Sequence, residues 1–406
     1  MKIIEQLSHH QILKKKKASK KNKKLVFYTG YKLFLYYGFT YDHSWMSILN
    51  ILRYLTVTTT GLMHIILAIA FKYESFDLLT LVEFAHYVVM AIYSLTMCAA
   101  LVSKSRTFNA LCATLKEEFE FPKMKLSPKQ EEIHRNTSIF IETFMRTTAT
   151  VILWGISVTC MRRPIFDRQT EFTIVYDGWL PFEVNTWFRY IIVCIGQVII
   201  TINASYGMFS CLIAFVAQAK QLCAQCDILC VHIKETFQCV NFDSKTSSDR
   251  ETFIKSRLKF AVKRHHVLMR CFNMFQDIYN SFLLMLTLCS GIIFCTVIYM
   301  ITDPNSNLSI IAEFVSLLVP EVTIIACYCW AGQQMTDKWS QIRGAIYEVN
   351  WYNESLRTQK TLLNMLTYCT KDKIITAAGI QEFSMKGFSE LLQASFSYFN
   401  MLKALR

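Results

Sequence analysis

The sequence has little charge and no recognisable catalytic or nucleic-acid-binding motif. Only 18% of its 406 residues are charged, whereas 53% are hydrophobic, a balance that a soluble domain does not normally bury. It contains no nucleotide-binding glycine loop, nucleophile elbow or His-Glu-x-x-His motif, so nothing supports an enzyme. The formal net charge of +13 comes without a base-reading module, which argues against nucleic acid as a partner.

The 15 cysteines do not indicate a disulfide scaffold. Most lie in apolar segments or in connections predicted to face the cytosol, where reduced thiols are expected. Cys223, Cys226, Cys230 and His232 superficially resemble a zinc-ligand set. On one continuous helix, however, Cys226 and Cys230 share a face while the other two spread around the cylinder. We therefore predict ordinary thiols, with no metal site and no cofactor.

Long apolar segments dominate the sequence. A membrane-crossing helix needs about 20 predominantly apolar residues. The candidate spans are Ser47–Phe71, Leu79–Val102, Ser138–Met161, Phe188–Ala217, Phe275–Ile301, Leu308–Ala331 and Glu390–Leu405. The seventh is the weakest, because the helix leading into it carries several polar residues. The predicted fold class is all-α, a polytopic membrane protein with seven transmembrane helices.

Lysine and arginine are concentrated in alternate connections between these spans. Of the 43 basic residues, 33 lie in the amino-terminal segment and in the connections on its side, and seven lie on the opposite side. This asymmetry predicts a cytosolic amino terminus and an extracellular carboxy terminus. The lysine-rich stretch 14–24 lacks the pattern of a cleavable signal peptide, so the first span is expected to direct insertion.

Six regions follow from the spans and from the amphipathic patterning between them. They are a cytosolic amino-terminal region 1–46 with an aromatic interfacial or re-entrant segment at 26–41, spans one to four on the ligand-pocket side at 47–217, a cytosolic helical extension at 218–274, spans five and six at 275–331, cytosolic anchor helices at 332–389, and a pore-lining last helix at 390–406.

Polar and aromatic residues within the spans are the candidate functional groups. Glu142 and Arg146 have the spacing of a helical ion pair, whereas Glu321, beside Pro320, faces either a cavity or another helix. A second set suits a mostly apolar ligand pocket in the outer halves of spans two, three, four and six, although each member equally suits helix packing. Its members are Phe84, His86, Tyr87, Met90, Thr150, Trp154, Ser157, Thr201, Phe314 and Leu318.

The last predicted helix carries a continuous polar stripe. Its residues are Glu382, Lys386, Glu390, Gln393, Ser397 and Asn400, which recur three or four apart. In a membrane protein such a stripe must meet other protein, cytosol or a water-filled path. Met401 and Leu405 then restore apolar character, and a polar lining closed by an apolar ring is how a dewetting gate is built.

The carboxy-terminal third resembles the insect odorant receptors. The stretch 375–405 (ITAAGIQEFSMKGFSELLQASFSYFNMLKAL) is similar to the closing signature of that family, and 328–351 (YCWAGQQMTDKWSQIRGAIYEVNW) adds to the match. The resemblance implies a tetrameric, odorant-gated, non-selective cation channel in the plasma membrane of olfactory sensory neurons. It implies a pore lined by Gln393, Ser397 and Asn400, with Met401 and Leu405 at the outer gate.

The resemblance also implies which subunit this is. Ala404 stands where the family's co-receptor typically has Gln, and the long co-receptor insertion between spans four and five is missing. An odour-tuned subunit of a heterotetramer with a co-receptor is therefore expected, with membrane lipid and a small volatile apolar ligand as its other partners. A gustatory-receptor-like channel and a G-protein-coupled receptor remain alternatives. The first lacks its Thr-Tyr-x5-Gln-Phe motif here, and the second requires the opposite orientation.

Overall fold

A computed structural model describes residues 45–72, 78–116, 126–166, 172, 174–176, 178–238, 247–304 and 308–404. The predicted interfacial segment at 26–41 and the predicted gate residue Leu405 lie outside these ranges. Of Ala404, only the backbone is described.

Helices make up almost all of the described chain. They are α1 (Trp45–Lys72), α2 (Leu78–Ser103), α3 (Ser105–Thr114), α4 (Pro128–Phe166), α5 (Trp187–Gln238), α6 (Ser247–Thr302), α7 (Leu308–Tyr347), α8 (Leu356–Cys369) and α9 (Met385–Ala404). A short 3-10 turn at Trp351–Asn353 precedes α8, and strands β1 (Thr376–Ala377) and β2 (Gln381–Glu382) form an antiparallel pair before α9.

Six of these helices are long and apolar enough to cross a membrane, and they contain the first six predicted spans. They are α1, α2, α4, α5, α6 and α7. The seventh predicted span corresponds to α9, whose 20 residues would extend about 30 Å, close to the thickness of a hydrocarbon core. The seventh crossing and the orientation of the termini stay predictions.

Four helices, α4 to α7, continue well beyond the length that a bilayer requires, and α4 has 39 residues. The 52 residues of α5 and the 56 residues of α6 correspond to roughly 78 and 84 Å at 1.5 Å per residue, and α7 has 40 residues. The amphipathic segments expected after the fourth span and before the fifth are therefore continuous with the spanning helices. They pack against α8 and the end of α7, so one core runs from the spanning region into the extension.

An aromatic cluster lies at the centre of this core. Phe215 of α5 lies 4.9 Å from Phe275 and 4.8 Å from Tyr279 of α6, measured between ring centroids. It also lies 4.9 Å from Tyr328 of α7. Each such pair contributes about 0.5–1.5 kcal/mol beyond the burial of its area. The three longest helices are thus joined at one point by ring contacts.

A buried thiol lies beside a buried imidazole where the anchor helices contact the extension. Cys369 Sγ lies 3.2 Å from His265 Nε2, and the His265 ring stacks on Trp339 at 5.2 Å. Burial raises the pKa of the Cys369 thiol to about 11, so the thiol stays protonated at neutral pH and donates to the ring nitrogen. The 14 cysteines within the described ranges are all free.

The hairpin before α9 corrects one sequence prediction. Glu382 belongs to β2 and not to the last helix, so the helical part of the polar stripe begins at Lys386. The chain turns through Ala378 and Gly379, whose φ angles of 53° and 72° are in the left-handed region. The turn ends the approach from α8 and redirects the chain into α9.

Side chains of α6 hold this hairpin in place. Gln276 Nε2 donates to the Thr376 carbonyl at 2.7 Å, and the Thr376 amide donates back to Gln276 Oε1 at 3.1 Å. The Ala378 amide donates to Asn280 Oδ1 at 2.9 Å. The hairpin that precedes α9 is therefore hydrogen-bonded to the point where α6 is predicted to enter the membrane.

A glycine on α7 allows the same segment to approach closely. A Cβ added at Gly332 would lie 2.2 Å from the Phe383 carbonyl oxygen, a separation that requires the backbone to shift. Gly344 on the same helix has no atom within 4 Å of the corresponding position. The two glycines therefore provide a matched test of how the segment before α9 is seated.

We expect Gly332→Ala to destabilise the protein by about 1–3 kcal/mol, because the added methyl group overpacks a backbone contact. Gly344→Ala should be neutral or stabilising by about 0.5–1 kcal/mol, since alanine is the better helix former. Thermal unfolding of the detergent-solubilised full chain measures both. Equal unfolding temperatures for the two variants would show that the close approach carries no stability.

Candidate functional site

The connection between α4 and α5 folds over one end of the helix bundle. The Val175 amide donates to Gln197 Oε1 of α5 at 3.1 Å, and Gln197 Nε2 donates to the Tyr176 carbonyl at 2.8 Å. The Val175, Tyr176 and Gln197 side chains are all buried. One amide side chain in an apolar helix thereby satisfies two backbone groups of a segment that has no regular secondary structure.

His64 of α1 completes the attachment of this connection. Its Nδ1 donates to the Trp179 carbonyl at 2.7 Å, and the Trp179 amide donates to the His64 carbonyl at 3.1 Å. Gln197 Nε2 lies 3.3 Å from His64 Nε2 and donates to it. These contacts require a neutral imidazole with its proton on Nδ1. The Trp179 ring also stacks on Phe71 at 5.4 Å.

A glycine is needed where the connection crosses His64. A Cβ at Gly178 would lie 1.7 Å from His64 Nε2, so any side chain there displaces the ring or the connection. Sequence analysis did not single out His64, Gln197, Tyr176 or Trp179. The available signal was Gln197, an amide within an apolar span, because such a group is costly in a membrane unless it is bonded.

Four of the predicted pocket residues lie where α2, α6 and α7 meet. His86 is buried, with Nδ1 3.3 Å from Thr296 Oγ1 and its ring 5.6 Å from the Phe314 ring. The Thr296 hydroxyl donates to the Ile293 carbonyl, so the His86 ring nitrogen is the donor of the pair. Met90 and Leu318 pack against the same cluster.

Two further predicted pocket residues, both on α2, belong to a neighbouring cluster between α1 and α2. Phe84 is buried with Ile65 and Ala68, and Tyr87 packs against them. The Tyr87 ring lies 6.0 Å from the Tyr176 ring of the α4–α5 connection. The two clusters are adjacent through the His86 and Tyr87 rings, 5.8 Å apart, and the cluster of Phe84 and Tyr87 lies against the connection.

The other predicted residues are placed differently. Trp154 on α4 is 52% exposed, and the neighbouring Thr150 and Ser157 are also exposed. Both hydroxyls donate to carbonyls of their own helix. Thr201 on α5 is half-buried and donates to the Gln197 carbonyl at 3.0 Å. The structure thus brings six of the ten predicted residues together on α2 and α7, and leaves the α4 members on an exposed helix face.

The intramembrane charges have identifiable partners. Arg146 Nη2 lies 2.6 Å from Glu142 Oε1, which confirms the ion pair expected from their spacing. Glu321 is 4% exposed, and its Oε1 accepts a hydrogen bond from the Ser290 hydroxyl of α6 at 3.0 Å. Of the two alternatives left open for Glu321, the structure therefore shows contact with another helix.

Apart from Glu390, which borders a groove towards α6, the polar stripe of α9 faces away from the bundle. The helix packs on α6 and α7 through its buried side, which includes Ser395 and Phe399. On the opposite side, Lys386 and Glu390 form an ion pair at 3.6 Å, and Gln393 donates to Ser389 at 3.3 Å. The remaining stripe residues Ser397 and Asn400 are exposed, as is Met401, at 55%.

A groove of about 840 Å³ separates part of α9 from α6. Thr287, Leu288 and Cys295 line its α6 side, and Leu391 and Tyr398 line its α9 side. The lining is mostly apolar. The contact of α9 with the bundle is thus incomplete in a single chain.

Comparison with known proteins decides the family. The family described as 7tm Odorant receptor matches residues 77–396. The chain belongs to the insect odorant receptor family. This odorant receptor is accordingly a helical membrane protein and a receptor, and not an enzyme.

Individual relatives are distant in sequence. The putative odorant receptor 85d of Drosophila melanogaster is 24% identical over 241 residues, 59% of this chain and 56% of the relative. The odorant receptor coreceptor of Harpegnathos saltator is 23% identical over 157 residues, 39% of this chain and 33% of the coreceptor. These alignments span about half or less of the relatives' own lengths.

Solved structures show the same fold. The insect olfactory receptor OR5 from Machilis hrabei matches with a TM-score of 0.77 at 14% identity, covering 97% of this odorant receptor and 99% of that chain. Its complex with eugenol matches with a TM-score of 0.76 at 13% identity, covering 96% and 98% of the two chains. At this level of identity the likeness establishes the fold alone.

We expect Gly178→Ala to displace the α4–α5 connection of this odorant receptor, because the methyl group cannot coexist with the His64 ring. Limited proteolysis of the solubilised protein should cut the connection faster than in the wild type. Gly196→Ala on α5 is the control, since no atom lies within 4 Å of its added Cβ. Equal cleavage rates in both variants would contradict the close packing.

Proposed function

We propose that this odorant receptor is an odour-tuned subunit of a ligand-gated, non-selective cation channel in the plasma membrane of olfactory sensory neurons. The observation that carries the proposal is the exposed polar stripe of α9. A helix at the end of an apolar bundle that presents Gln393, Ser397 and Asn400 outward needs a partner or water on that side. A shared central pore supplies both.

The pore would be formed by α9 helices from several subunits. With 20 residues, α9 is about 30 Å long, which suffices to cross a hydrocarbon core. We propose a heterotetramer with a co-receptor, since the chain lacks two features expected of the co-receptor itself. These are a Gln at the position of Ala404 and a long insertion between spans four and five. In this arrangement Met401 lies towards the outer end of the conduction path, followed by Ala404 and Leu405.

The ligand site would be this pair of adjacent clusters, of which the one with Phe84 and Tyr87 lies against the α4–α5 connection. Its walls combine the aromatic rings of Tyr87 and Phe314 with the imidazole of His86, a mostly apolar lining with one hydrogen-bonding group. A small volatile apolar molecule fits that chemistry. It would open the pore by binding more tightly to the open than to the closed conformation.

Coupling between the two sites would run along α6. The same helix supplies Thr296 to the ligand-site cluster and Gln276 and Asn280 to the hairpin that begins α9. Cys295 of α6 donates to the Ser395 carbonyl of α9 at 3.4 Å. A shift of α6 on ligand binding would therefore act on α9 at two levels, through the hairpin before α9 and through Ser395 within it.

Met401→Lys is expected to reduce cation conduction or alter cation permeability, because it places positive charge on the exposed face of the proposed pore helix. Currents from cells that co-express the variant and a co-receptor measure this effect. Met385→Lys makes the same change on the same helix, at an exposed position off the stripe, and should leave the currents unchanged.

Surface labelling of a carboxy-terminal tag on intact cells controls for expression and orientation in that experiment. If the carboxy terminus is external, the tag is labelled without permeabilisation. A tag that reacts only after permeabilisation would overturn the proposed topology and favour a G-protein-coupled receptor.

Tyr87→Leu should shift the dose–response curve by about tenfold or more at unchanged surface abundance, because it removes both an aromatic contact and a hydroxyl from the proposed ligand site. The probe is the most potent member of a panel of volatile esters, terpenes, alcohols and aldehydes. Trp154→Leu, on the exposed face of α4, should shift potency less. Reduced surface abundance with an unmoved curve would show that Tyr87 serves packing only.

A further inference from the structure

The groove between α6 and α9 is elongated and mostly apolar. On α6 its lining runs from Thr287 to Tyr299, which corresponds to about 18 Å at 1.5 Å per residue. On α9 it runs from Glu390 to Tyr398, about 12 Å. The volume of about 840 Å³ is within the range of sites that hold a small molecule. The shape therefore suits an elongated occupant that lies along the two helices.

Small residues keep the space between the two helices open. Gly291 of α6 and Ala394 of α9 both line the groove. A Cβ added at Gly291 would find no packing atom within 4 Å. At the bottom of the groove, the Cys295 thiol donates at 3.4 Å to the carbonyl of Ser395, which is 2% exposed. The two helices thus touch at depth and diverge towards the outside.

The edges of the groove belong to the surface that the apolar spans expose. Leu288 and Ile292 of α6 are 54% and 50% exposed, and Tyr398 of α9 is 60% exposed. All three residues line the groove. Large apolar side chains that are exposed within a membrane span contact the hydrocarbon of the lipid. The groove is therefore continuous with the lipid-facing surface, and a lipid chain can enter it sideways from the bilayer.

One end of the groove carries charges of both signs. Glu390 lines the groove near the start of α9, and Lys386 lies one turn before it, with the charged groups 3.6 Å apart. The two side chains are 54% and 83% exposed, so each is accessible to a further charged group. This end faces the predicted cytosolic side, because α9 begins there. A headgroup that contains both a cation and an anion is complementary to this pair.

We infer that the groove binds one zwitterionic phospholipid of the inner leaflet, with an acyl chain along α6 and its headgroup at Lys386 and Glu390. The phosphate would accept from Lys386, and the headgroup ammonium would lie beside Glu390. A helix of a neighbouring subunit is less suited, because it is about 10–12 Å wide with its side chains. Helix contacts in membranes also favour small residues, whereas the exposed edges here are Leu288, Ile292 and Tyr398.

A lipid held in this groove would brace α9 against α6. It would lie beside the contact of Cys295 with Ser395 and fill the space that a single chain leaves between the two helices. Thr296 lines the groove and also contacts His86 of the proposed ligand site, so the two sites meet on α6. Lipid binding is a property of the chain itself. It is measured without ion currents, and its failure is therefore distinguishable from a failure of the proposed channel function.

Native mass spectrometry of the detergent-solubilised full chain tests the site. Phosphatidylcholine is added to the delipidated protein, and the mass of one retained lipid per chain is measured. Gly291→Phe should lower the retained fraction by about tenfold or more, because its ring and the acyl chain compete for one space. Gly155→Phe makes the same change on α4, where an added Cβ also has no atom within 4 Å, and should retain lipid as the wild type does.

Ala394→Phe is the second variant, in case Gly291→Phe does not fold. It fills the groove from the α9 side and should lower lipid retention in the same way. Phosphatidylglycerol with the same acyl chains tests the headgroup, since it is anionic and lacks the ammonium that would lie beside Glu390. We expect it to be retained less than phosphatidylcholine.

Each outcome decides the inference. Retention of phosphatidylcholine that the groove variants reduce and Gly155→Phe leaves intact supports the site. No retention, or equal retention by every variant, overturns it. Equal retention of the two lipids overturns the headgroup assignment to Lys386 and Glu390. The same measurement is made on the chain purified with a co-receptor. Loss of the lipid from that complex would show that the neighbouring subunit covers the groove and would overturn the lipid as its occupant.

Discussion

The hydrocarbon interior of a membrane offers no hydrogen-bonding partner, and this constraint accounts for most of the architecture. Backbone groups must be paired within each segment, which leaves helices as the form available to the long apolar stretches. The same constraint allows α5, α6 and α7 to continue unbroken into the extension, because nothing requires a helix to end where the apolar segment does. Aromatic packing around Phe215 then joins the three into one body.

Polar side chains also need hydrogen-bonding partners, and they find them differently inside the bundle and on α9. Inside the bundle, Glu321 pairs with Ser290, and Gln197 bonds the α4–α5 connection. On α9, by contrast, the polar side chains face outward, where a single chain supplies little beyond contacts within the helix. The difference between these two situations separates residues that stabilise the fold from residues that need another subunit or water. It is also why the proposed pore is assigned to α9.

Much of the fold was predictable because its signals are local. The first six spans, the helical extension beyond the fourth, and the Glu142–Arg146 pair each follow from apolar length or from spacing along one helix. Which of the proposed ligand-site residues lie together was predictable in part. His86 and Phe314 meet at a helix junction, whereas Trp154 lies on an exposed face, because apolar composition does not reveal which side of α4 contacts the bundle.

By itself the sequence determined the helical class, the apolar spans and the family signature, since each depends on residues close together in the chain. Only the tertiary structure decided that Gly178 must be small beneath His64, that Glu382 precedes the last helix in a hairpin, and that Gly291 and Ala394 line one groove between α6 and α9. These features join residues more than 40 positions apart or depend on one close contact. Periodicity records which residues share a face of one helix, and it carries no information about which faces meet.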